Sequence, residues 1–184
     1  MVEEVASTSL LEFIEKVPQP LLIVTAGDPE KPGKRGGMVV VLFTQLSGDP
    51  LLVGFTSAPG RHTLKLIREY KAFAVMTVPR KLLQVALNVF GGVSGTRMDK
   101  FEAAKIVPQK GRKIVAPIIP ESPLVLECEL YKEIEIGDHV LVVGKVVDAY
   151  SNSKELPLVY WNSGIYELKE ESWMILWRSG AMKT

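Results

Sequence analysis

The stretch that decides the fold is Leu124–Tyr150, which reads LVLECELYKEIEIGDHVLVVGKVVDAY. Before the central Gly137-Asp138 turn, six apolar side chains share the even positions and four glutamates share the odd ones. The alternating sets are Leu124, Leu126, Cys128, Leu130, Ile134 and Ile136 against Glu127, Glu129, Glu133 and Glu135. This alternation predicts a strand with one buried face and one wet face, with Glu127 and Glu129 exposed. After the turn, residues 139–150 are predicted to return as a long strand.

Apolar runs outside this hairpin predict further short strands and helices. Residues 21–26 suit a buried strand, and residues 38–46 predict one continuous strand covered on both faces. Gly48-Asp49 predicts a second hairpin with 51–55 as its return strand, whereas the Gly, Pro and Lys content of 27–37 predicts an exposed loop. The remaining predicted elements are a helix opened by a Ser9 capping box, helices over 61–71 and 80–90, a strand over 72–78, and short strands over 158–168 and 173–177.

Short antiparallel strands joined by tight turns predict a mainly β fold with inserted helices, closed as a barrel. The 184 residues, 47% hydrophobic and 23% charged, suffice for one core, so we expect a single domain over 1–184. A net charge of +1 gives no electrostatic case for nucleic-acid binding. One cysteine and two histidines are too few for a disulfide or a His/Cys zinc site, and no metal is expected. Without a visible signal peptide or long apolar span, we expect a cytoplasmic protein and no membrane partner.

Residues 57–63, Ser-Ala-Pro-Gly-Arg-His-Thr, form the first candidate binding segment. They join a predicted strand to a predicted helix, and the first turn of a helix offers free N–H groups and a partial positive charge. Ser57 and Thr63 add hydroxyl groups, and Arg61 adds a guanidinium fork for phosphate. The same residues also fit an ordinary helix cap with a surface arginine, and His62 is expected at the surface.

Two further segments carry polar residues at turns. Residues 94–101, Ser-Gly-Thr-Arg-Met-Asp-Lys-Phe, form a loop that enters a short helix capped by Asp99 or nearby, and can meet an anion. Gly137-Asp138-His139 sets a histidine after a tight turn, where it can donate a proton or hydrogen bond near neutral pH. Taken alone, residues 94–101 also fit a solvated loop with a helix cap. Gly137-Asp138-His139 likewise also fits a turn with an exposed histidine. The sequence contains no nucleophile-elbow motif of the G-x-S-x-G kind.

A series of short motifs runs in order from about Pro20 to about Leu168. They are Pro20-Leu-Leu-Ile-Val-Thr-Ala26, Asp49-Pro-Leu-Leu-Val53, Ser57…Arg61-His-Thr63, Ser94-Gly95…Asp99-Lys100-Phe101, Ala116-Pro-Ile-Ile-Pro-Glu121, Leu126-Glu-Cys128, Gly137-Asp-His139, Val143-Gly144-Lys-Val146 and Pro157-Leu-Val-Tyr160 with Tyr166. Their order and spacing together resemble the flavin reductase-like, FMN-binding split-barrel family, and within it the flavoredoxin and ferric-reductase branch.

This resemblance implies a fold and an activity. The implied fold is an antiparallel split β-barrel that forms a homodimer, with flavin mononucleotide (FMN) at the interface. The implied activity is that of an FMN-binding flavin reductase-like oxidoreductase. In such a protein NAD(P)H reduces FMN by hydride transfer, and electrons pass onward to an acceptor that the resemblance does not specify.

The resemblance also implies roles for individual segments. Residues 57–63 hold the FMN phosphate, residues 94–101 lie close to the flavin, and His139 borders the flavin and nicotinamide pocket as the catalytic candidate. The strand before Asp49 runs along the isoalloxazine ring and offers it backbone N–H groups. The cofactor-binding residues expected on this basis are Thr44, Gln45, Ser47, Ser57, Arg61, Thr63, Ser94, Lys100 and Phe101.

The strand before Asp49 departs from the family pattern. Family members often carry a polar Asn-x-x-Thr-x-Ser-Trp-like stretch there, whereas residues 37–47 of this chain read GMVVVLFTQLS. Backbone contacts survive such a change, but side-chain contacts can be lost. Two alternatives therefore stay open: a non-catalytic FMN-binding electron carrier without an NAD(P)H site, and a dimeric split-barrel protein that has lost flavin.

Overall fold

The computed structural model describes residues 10–169 as β strands with a few short helices. The strands are β1 (Gln19–Pro20), β2 (Leu22–Gly27), β3 (Arg35–Val40), β4 (Phe43–Gly48), β5 (Leu51–Ser57), β6 (Ala72–Thr77), β7 (Gln109–Lys110), β8 (Pro117–Ile118), β9 (Leu124–Ile136), β10 (His139–Ser151), β11 (Leu158–Trp161) and β12 (Gly164–Glu167). The helices are α1 (Leu10–Ile14), α2 (His62–Tyr70), α3 (Leu83–Val85) and α4 (Lys100–Ala104), with a 3₁₀ turn (Arg80–Leu82) before α3 and a π-helix (Ala86–Gly91) after it.

Most predicted elements are present. The helix expected over 80–90 is a composite of 3₁₀, α and π segments. The Ser9 cap and the strand expected over 173–177 lie outside the described residues. Across residues 10–169, no helix has the length and apolar character needed to cross a membrane.

Seven strands form one antiparallel sheet in the order β3-β2-β6-β9-β10-β5-β4. The strands β3 and β4 lie at opposite edges of this sheet, yet only Val41 and Leu42 connect them. Laid flat, seven strands would hold their edges about 29 Å apart, whereas three Cα steps reach about 11 Å. The sheet therefore curls round, and the Thr56 amide on β5 donates to the Leu42 carbonyl at 3.2 Å. The expected mainly β, antiparallel architecture is confirmed.

The curled sheet is covered on both faces along β2. Ile23 lies in a core with Phe90 of the π-helix, while its neighbour Val24 lies in a second core with Phe55 and Leu64. Successive side chains of a strand point to opposite faces, so one strand contributes to both cores. The helix α2 packs on the second core through Leu64, Leu66 and Ile67, which places its first turn at the end of β5.

The hairpin of β9 and β10 is confirmed, but its register departs from simple alternation. Tyr131 is an extra residue in β9 opposite the Val143–Gly144 step of β10. Such a bulge reverses which side chains face the core. Ile134 and Ile136 therefore lie on the outer surface, 40% and 51% exposed, and the prediction that they share a buried face with Cys128 is wrong.

Glu127 is buried, so the prediction that it lies on an exposed face with Glu129 is wrong. A loop folds over this part of β9, and the backbone amides of residues 112–114 donate to the Glu127 carboxylate at 2.7, 2.7 and 3.2 Å. The Tyr150 hydroxyl donates to it as well, at 2.9 Å. Four donors to a carboxylate compensate much of the cost of removing its charge from water.

The prediction of one strand over residues 38–46 is also wrong. The chain forms β3 and β4, and residues 41–42 carry it from one edge of the curled sheet to the other. The predicted exposed loop over 27–37 is shorter than expected, because β3 begins at Arg35 and both Gly36 and Gly37 are buried.

Candidate functional site

The end of β5 and the start of α2 bring several polar groups together. Ser57 ends β5, and Arg61 is the N-cap residue of α2 but forms no side-chain capping hydrogen bond. The amides of the first helical turn therefore lack that acceptor, and an anion can take its place. Thr63 lies in the same turn with its side chain buried.

Two cavities flank Arg61. The first cavity, of about 160 Å³, is lined by residues 38–42, residues 56–58, Arg61 and His139. The second cavity, of about 130 Å³, is lined by Met38, residues 60–63, residues 93–95 and Lys100. The predicted site residues that the fold brings together at these cavities are Ser57, Arg61, Thr63, Ser94, Lys100 and His139.

Lys100 supplies a buried cation to the second cavity. Its side chain is 5% exposed, and its Nζ donates to the carbonyls of Gly37 at 2.8 Å and Phe90 at 2.7 Å. It forms no ion pair with a carboxylate within residues 10–169. Burial, with a smaller contribution from the charge of Arg61, lowers the pKa of Lys100 to about 8. A buried cation without a carboxylate makes this cavity a place where an anion is stabilised.

His139 reaches the first cavity through the register of the sheet. The strand β10 begins at His139, and the next residue, Val140, pairs with Ser57 on β5. Gly137, at φ +57°, makes the turn that precedes it. The His139 Nδ1 lies 2.8 Å from Oδ1 of Asp138, and the ring stays partly exposed at the rim of the cavity.

Two buried polar atoms beside these cavities lack a hydrogen-bond partner among the described residues: Thr56 Oγ1 at the first cavity and His62 Nε2 at the second. An unpaired buried polar atom costs about 1–3 kcal/mol, so each is a position where a ligand atom or another chain is expected to bind. The His62 ring is packed between Gly36 and Gly95, where an added Cβ would lie 3.3 and 2.6 Å from its Cδ2. Burial, together with nearby lysines, lowers the pKa of His62.

Sequence reasoning missed both residues: His62, expected at the surface, is only partly exposed, and its Nε2 is buried. Thr56 lies inside a strand and carries no motif of its own. His62 stands between Arg61 and Thr63, so its position in the chain was the only available signal.

Three predicted contacts lie away from the cavities. Thr44, Gln45 and Ser47 belong to β4 and line neither cavity. They pair with β5 at positions three to five residues before Ser57, which is about 10–17 Å along the strand. Within one subunit they therefore lie apart from both cavities, and their role as cofactor contacts stays a prediction.

Phe101 and Ser94 have different surroundings from each other. Phe101 is fully buried, and its ring packs edge to face on Phe90 with centroids 5.4 Å apart. Its ring therefore belongs to the core rather than to a cavity wall. Ser94 lines the second cavity, where its hydroxyl shares a hydrogen bond of 2.9 Å with Thr96.

The free edge of β3 lines the first cavity. The Asp28 amide donates to the Lys34 carbonyl at 2.9 Å, and in the same register the even-numbered residues of β2 and β3 form the hydrogen-bonded pairs. Gly37 and Val39 therefore point their N–H and C=O groups away from β2. Lys100 binds the Gly37 carbonyl, which leaves the Val39 amide facing the open side of the strand.

Comparison with known proteins gives one family. The model of the flavin reductase like domain matches residues 14–169. An uncharacterized protein of Pyrococcus abyssi is 39% identical over 112 residues, which are 61% of this chain and 63% of that protein. A ferric-chelate reductase (NAD(P)H) of Archaeoglobus fulgidus is 26% identical over 140 residues, 76% of this chain and 79% of that protein. The structure of flavin reductase HpaC complexed with NADP+ has a TM-score of 0.70 and 30% identity, covering 86% of this chain and 96% of HpaC.

The match does not extend over the whole length of every relative. It spans 63% of the Pyrococcus abyssi protein, and 53% and 64% of uncharacterized proteins from Aeropyrum pernix and Archaeoglobus fulgidus. The family model, in contrast, covers almost all of residues 10–169, including the curled sheet and both cavities. The chain therefore belongs to the flavin reductase like domain family.

Proposed function

We propose that this protein is an FMN-binding flavin reductase-like oxidoreductase that takes electrons from NAD(P)H and passes them to a further acceptor. The observation that carries the proposal is the meeting of Arg61, Lys100 and the uncapped start of α2 around two cavities. On this proposal residues 1–184 form one domain, and the curled sheet is the split barrel of a homodimer.

The residues around Arg61 fit the phosphate group of FMN. A phosphate needs positive charge and several hydrogen-bond donors, which the Arg61 fork, the free amides of α2 and the Lys100 ammonium supply. Thr63 and the unpaired Nε2 of His62 add polar groups beside the same cavity. No carboxylate of residues 10–169 neutralises Arg61 or Lys100 by an ion pair, so an anion would complete the site.

The first cavity fits the flavin ring on similar grounds. A flat heteroaromatic ring needs apolar surface for its faces and donors for its polar edge. Residues 38–42 provide apolar side chains, and the outward Val39 amide provides a backbone donor. The apolar character of this strand therefore removes side-chain donors but leaves backbone donors in place.

FMN, when bound, supplies the two-electron redox chemistry. The chain's own residues bind and orient: Arg61 and Lys100 hold the phosphate end, and the edge of β3 fixes the ring. His139, at the rim of the first cavity, can hydrogen-bond the amide of a nicotinamide. Holding two reactants in a near-attack geometry accelerates their reaction even when the positioning residue exchanges no proton.

An outer apolar face of the sheet supports the homodimer. Leu46 and Leu141 meet over Gly54, and Ile136 lies further along the same face because it pairs with His139. Leu46 is 45% exposed, and contiguous exposed apolar side chains of this kind mark interaction sites. Since His139 lines the first cavity, a second copy of the chain on this face would lie beside that cavity.

An absorbance spectrum of the full chain, mixed with FMN and freed of excess ligand, tests the proposal. We expect flavin absorbance to be retained and then bleached by NADH or NADPH without oxygen. Flavin that is retained but not bleached would favour the electron-carrier hypothesis over the reductase hypothesis. Failure to retain any flavin would favour the dimer that has lost its cofactor.

A further inference from the structure

The Asp99 carboxylate lies where α4, β3 and the loop before β3 meet, and each of its oxygens has a separate set of donors. Its Oδ1 accepts from the amides of Phe101 at 2.9 Å and Glu102 at 3.2 Å. Its Oδ2 accepts from Arg35 Nε at 2.8 Å and the Gly33 amide at 3.2 Å. One oxygen therefore caps α4, and the other ties that cap to the start of β3.

Arg35, the partner of Asp99 in this ion pair, is itself held by further contacts. Its guanidinium also donates to the Pro29 carbonyl at 2.8 Å and lies 5.5 Å from the centroid of the Phe101 ring. Both side chains of the ion pair are largely buried. Burial raises the pKa of Asp99, but the hydrogen bonds from Arg35 and the amides outweigh it and hold that pKa below its usual value. A buried and hydrogen-bonded ion pair is geometrically fixed, unlike an exposed one.

Lys100 follows Asp99 directly in the chain, and its ammonium bonds to Gly37, two residues after Arg35 on β3. The Asp99–Arg35 contact thus sets how far the backbone of Lys100 lies from the strand that its side chain must reach. The other acceptor, the Phe90 carbonyl, comes from the last turn of the π-helix, where carbonyls lack intrahelical donors. Neither Asp99 nor Arg35 lines the first or the second cavity.

We propose that Asp99 and Arg35 are a positioning pair that holds the Lys100 ammonium at the second cavity and so sets the affinity for the phosphate of FMN. The pair acts through Lys100, because the ammonium is the group that reaches the cavity. The effect on FMN affinity rests on the proposed function, whereas the effect of the pair on the position of the Lys100 ammonium does not.

Asp99→Asn isolates the positioning contact. Asparagine caps helices about as well as aspartate, but its amide nitrogen only donates and so cannot accept the hydrogen bonds of Arg35 and Gly33. Arg35→Met removes the same contact from the other side. Glu133→Gln is the matched control, because it breaks the ion pair of 2.7 Å between Glu133 and Arg68, which lies away from both cavities.

The first readout is the ratio of the dissociation constants of FMN and riboflavin. Riboflavin lacks the phosphate, so a general loss of structure weakens both ligands while a displaced Lys100 weakens FMN alone. We expect Asp99→Asn and Arg35→Met each to weaken FMN about 3- to 30-fold relative to riboflavin, and their effects not to add in the double variant. An unchanged ratio in both variants would overturn the link to phosphate.

The second readout needs no flavin. Acetylation of Lys100 by acetic anhydride, followed by peptide mass spectrometry, measures how firmly the buried ammonium is held. We expect slow labelling of Lys100 in the unmodified chain and in Glu133→Gln, and labelling several times faster in Asp99→Asn and Arg35→Met. If the chain retains no flavin, the proposed function fails, but this comparison still decides the positioning role. Equal labelling in all four proteins would overturn it.

Discussion

Raising the pH through the pKa of Lys100 is expected to weaken FMN binding and leave riboflavin binding unchanged. Free Lys100 loses its proton near pH 8, well below the ordinary lysine value of 10.5. A bound phosphate stabilises the ammonium, so in the complex Lys100 keeps its proton to a higher pH. Above pH 8 binding must therefore take up a proton, and affinity falls as pH rises. Below pH 8 Lys100 is protonated both in the free protein and in the complex, so it adds no pH dependence to the affinity for FMN.

The size of the effect follows from the same pKa. Each pH unit above 8 should weaken FMN binding about tenfold, until the complex itself loses the proton. The total is bounded by one hydrogen bond between charged groups, about 1.5–3 kcal/mol, or roughly 10- to 150-fold. Lys100→Met has no ammonium to titrate. This variant should bind FMN roughly 10- to 150-fold more weakly than the unmodified chain at neutral pH, and its affinity for FMN should not fall further as the pH passes 8.

Fluorescence titration of FMN and riboflavin between about pH 6.5 and 9.5 measures both constants, and their ratio cancels changes common to the shared ring. The matched control is Lys132→Met, which removes an exposed lysine that lines neither cavity. A ratio that stays flat to the highest pH in the unmodified chain would refute the reasoning. So would a step that survives in Lys100→Met, because another group would then be titrating.

Further substitutions separate binding, catalysis, assembly and stability. Arg61→Ala should weaken FMN by about 1.5–3 kcal/mol and leave riboflavin nearly unchanged; equal FMN titrations of the variant and the unmodified chain would remove Arg61 from the phosphate site. His139→Ala should keep FMN bound but lower kcat/KM for NAD(P)H more than flavin affinity, and identical stopped-flow reduction would exclude a role for the histidine. If the proposed homodimer forms, Leu46→Glu should convert it to a monomer in analytical ultracentrifugation, whereas an undisturbed dimer would mean that the outer apolar face is not the interface. Glu127→Gln should lower the free energy of unfolding in urea by about 1.5–3 kcal/mol without changing FMN affinity, and a loss below about 1 kcal/mol would contradict its structural role.

The elements of the fold that could be predicted depend on neighbouring residues. The hairpin of β9 and β10 follows from alternation around a Gly137-Asp138 turn, and the α2 segment follows from its helical apolar spacing. The bulge at Tyr131 could not be predicted, because Leu130 before it and Ile134 and Ile136 after it all hold even positions. Only the partner strand determines where one extra residue is inserted, and the partner's register depends on the whole sheet.

Part of the site could be predicted for the same reason. Ser57, Arg61 and Thr63 belong to one strand-to-helix turn, so the sequence alone groups them. Lys100 and His139 join them only through β3 and β10, which requires the three-dimensional sheet order. The residues of β4 lie apart from both cavities because residues 41–42 cross from one sheet edge to the other, and no local pattern marks that crossing.

Two buried charged side chains show how a functional group can be told from a structural one. Glu127 has three amide donors and a hydroxyl donor, so its charge is compensated within the protein and it stabilises a loop. Lys100 has two carbonyl acceptors but no carboxylate within the described residues, and burial with the charge of Arg61 lowers its pKa. The uncapped start of α2 and the unpaired atoms of Thr56 and His62 lie beside the same two cavities. Buried polar groups normally have hydrogen-bond partners, and helix starts are normally capped. Several departures from these rules at the same cavities are expected of a binding site in a natural protein. On the proposed function, the phosphate and ring of FMN would supply the acceptors and donors that these groups lack.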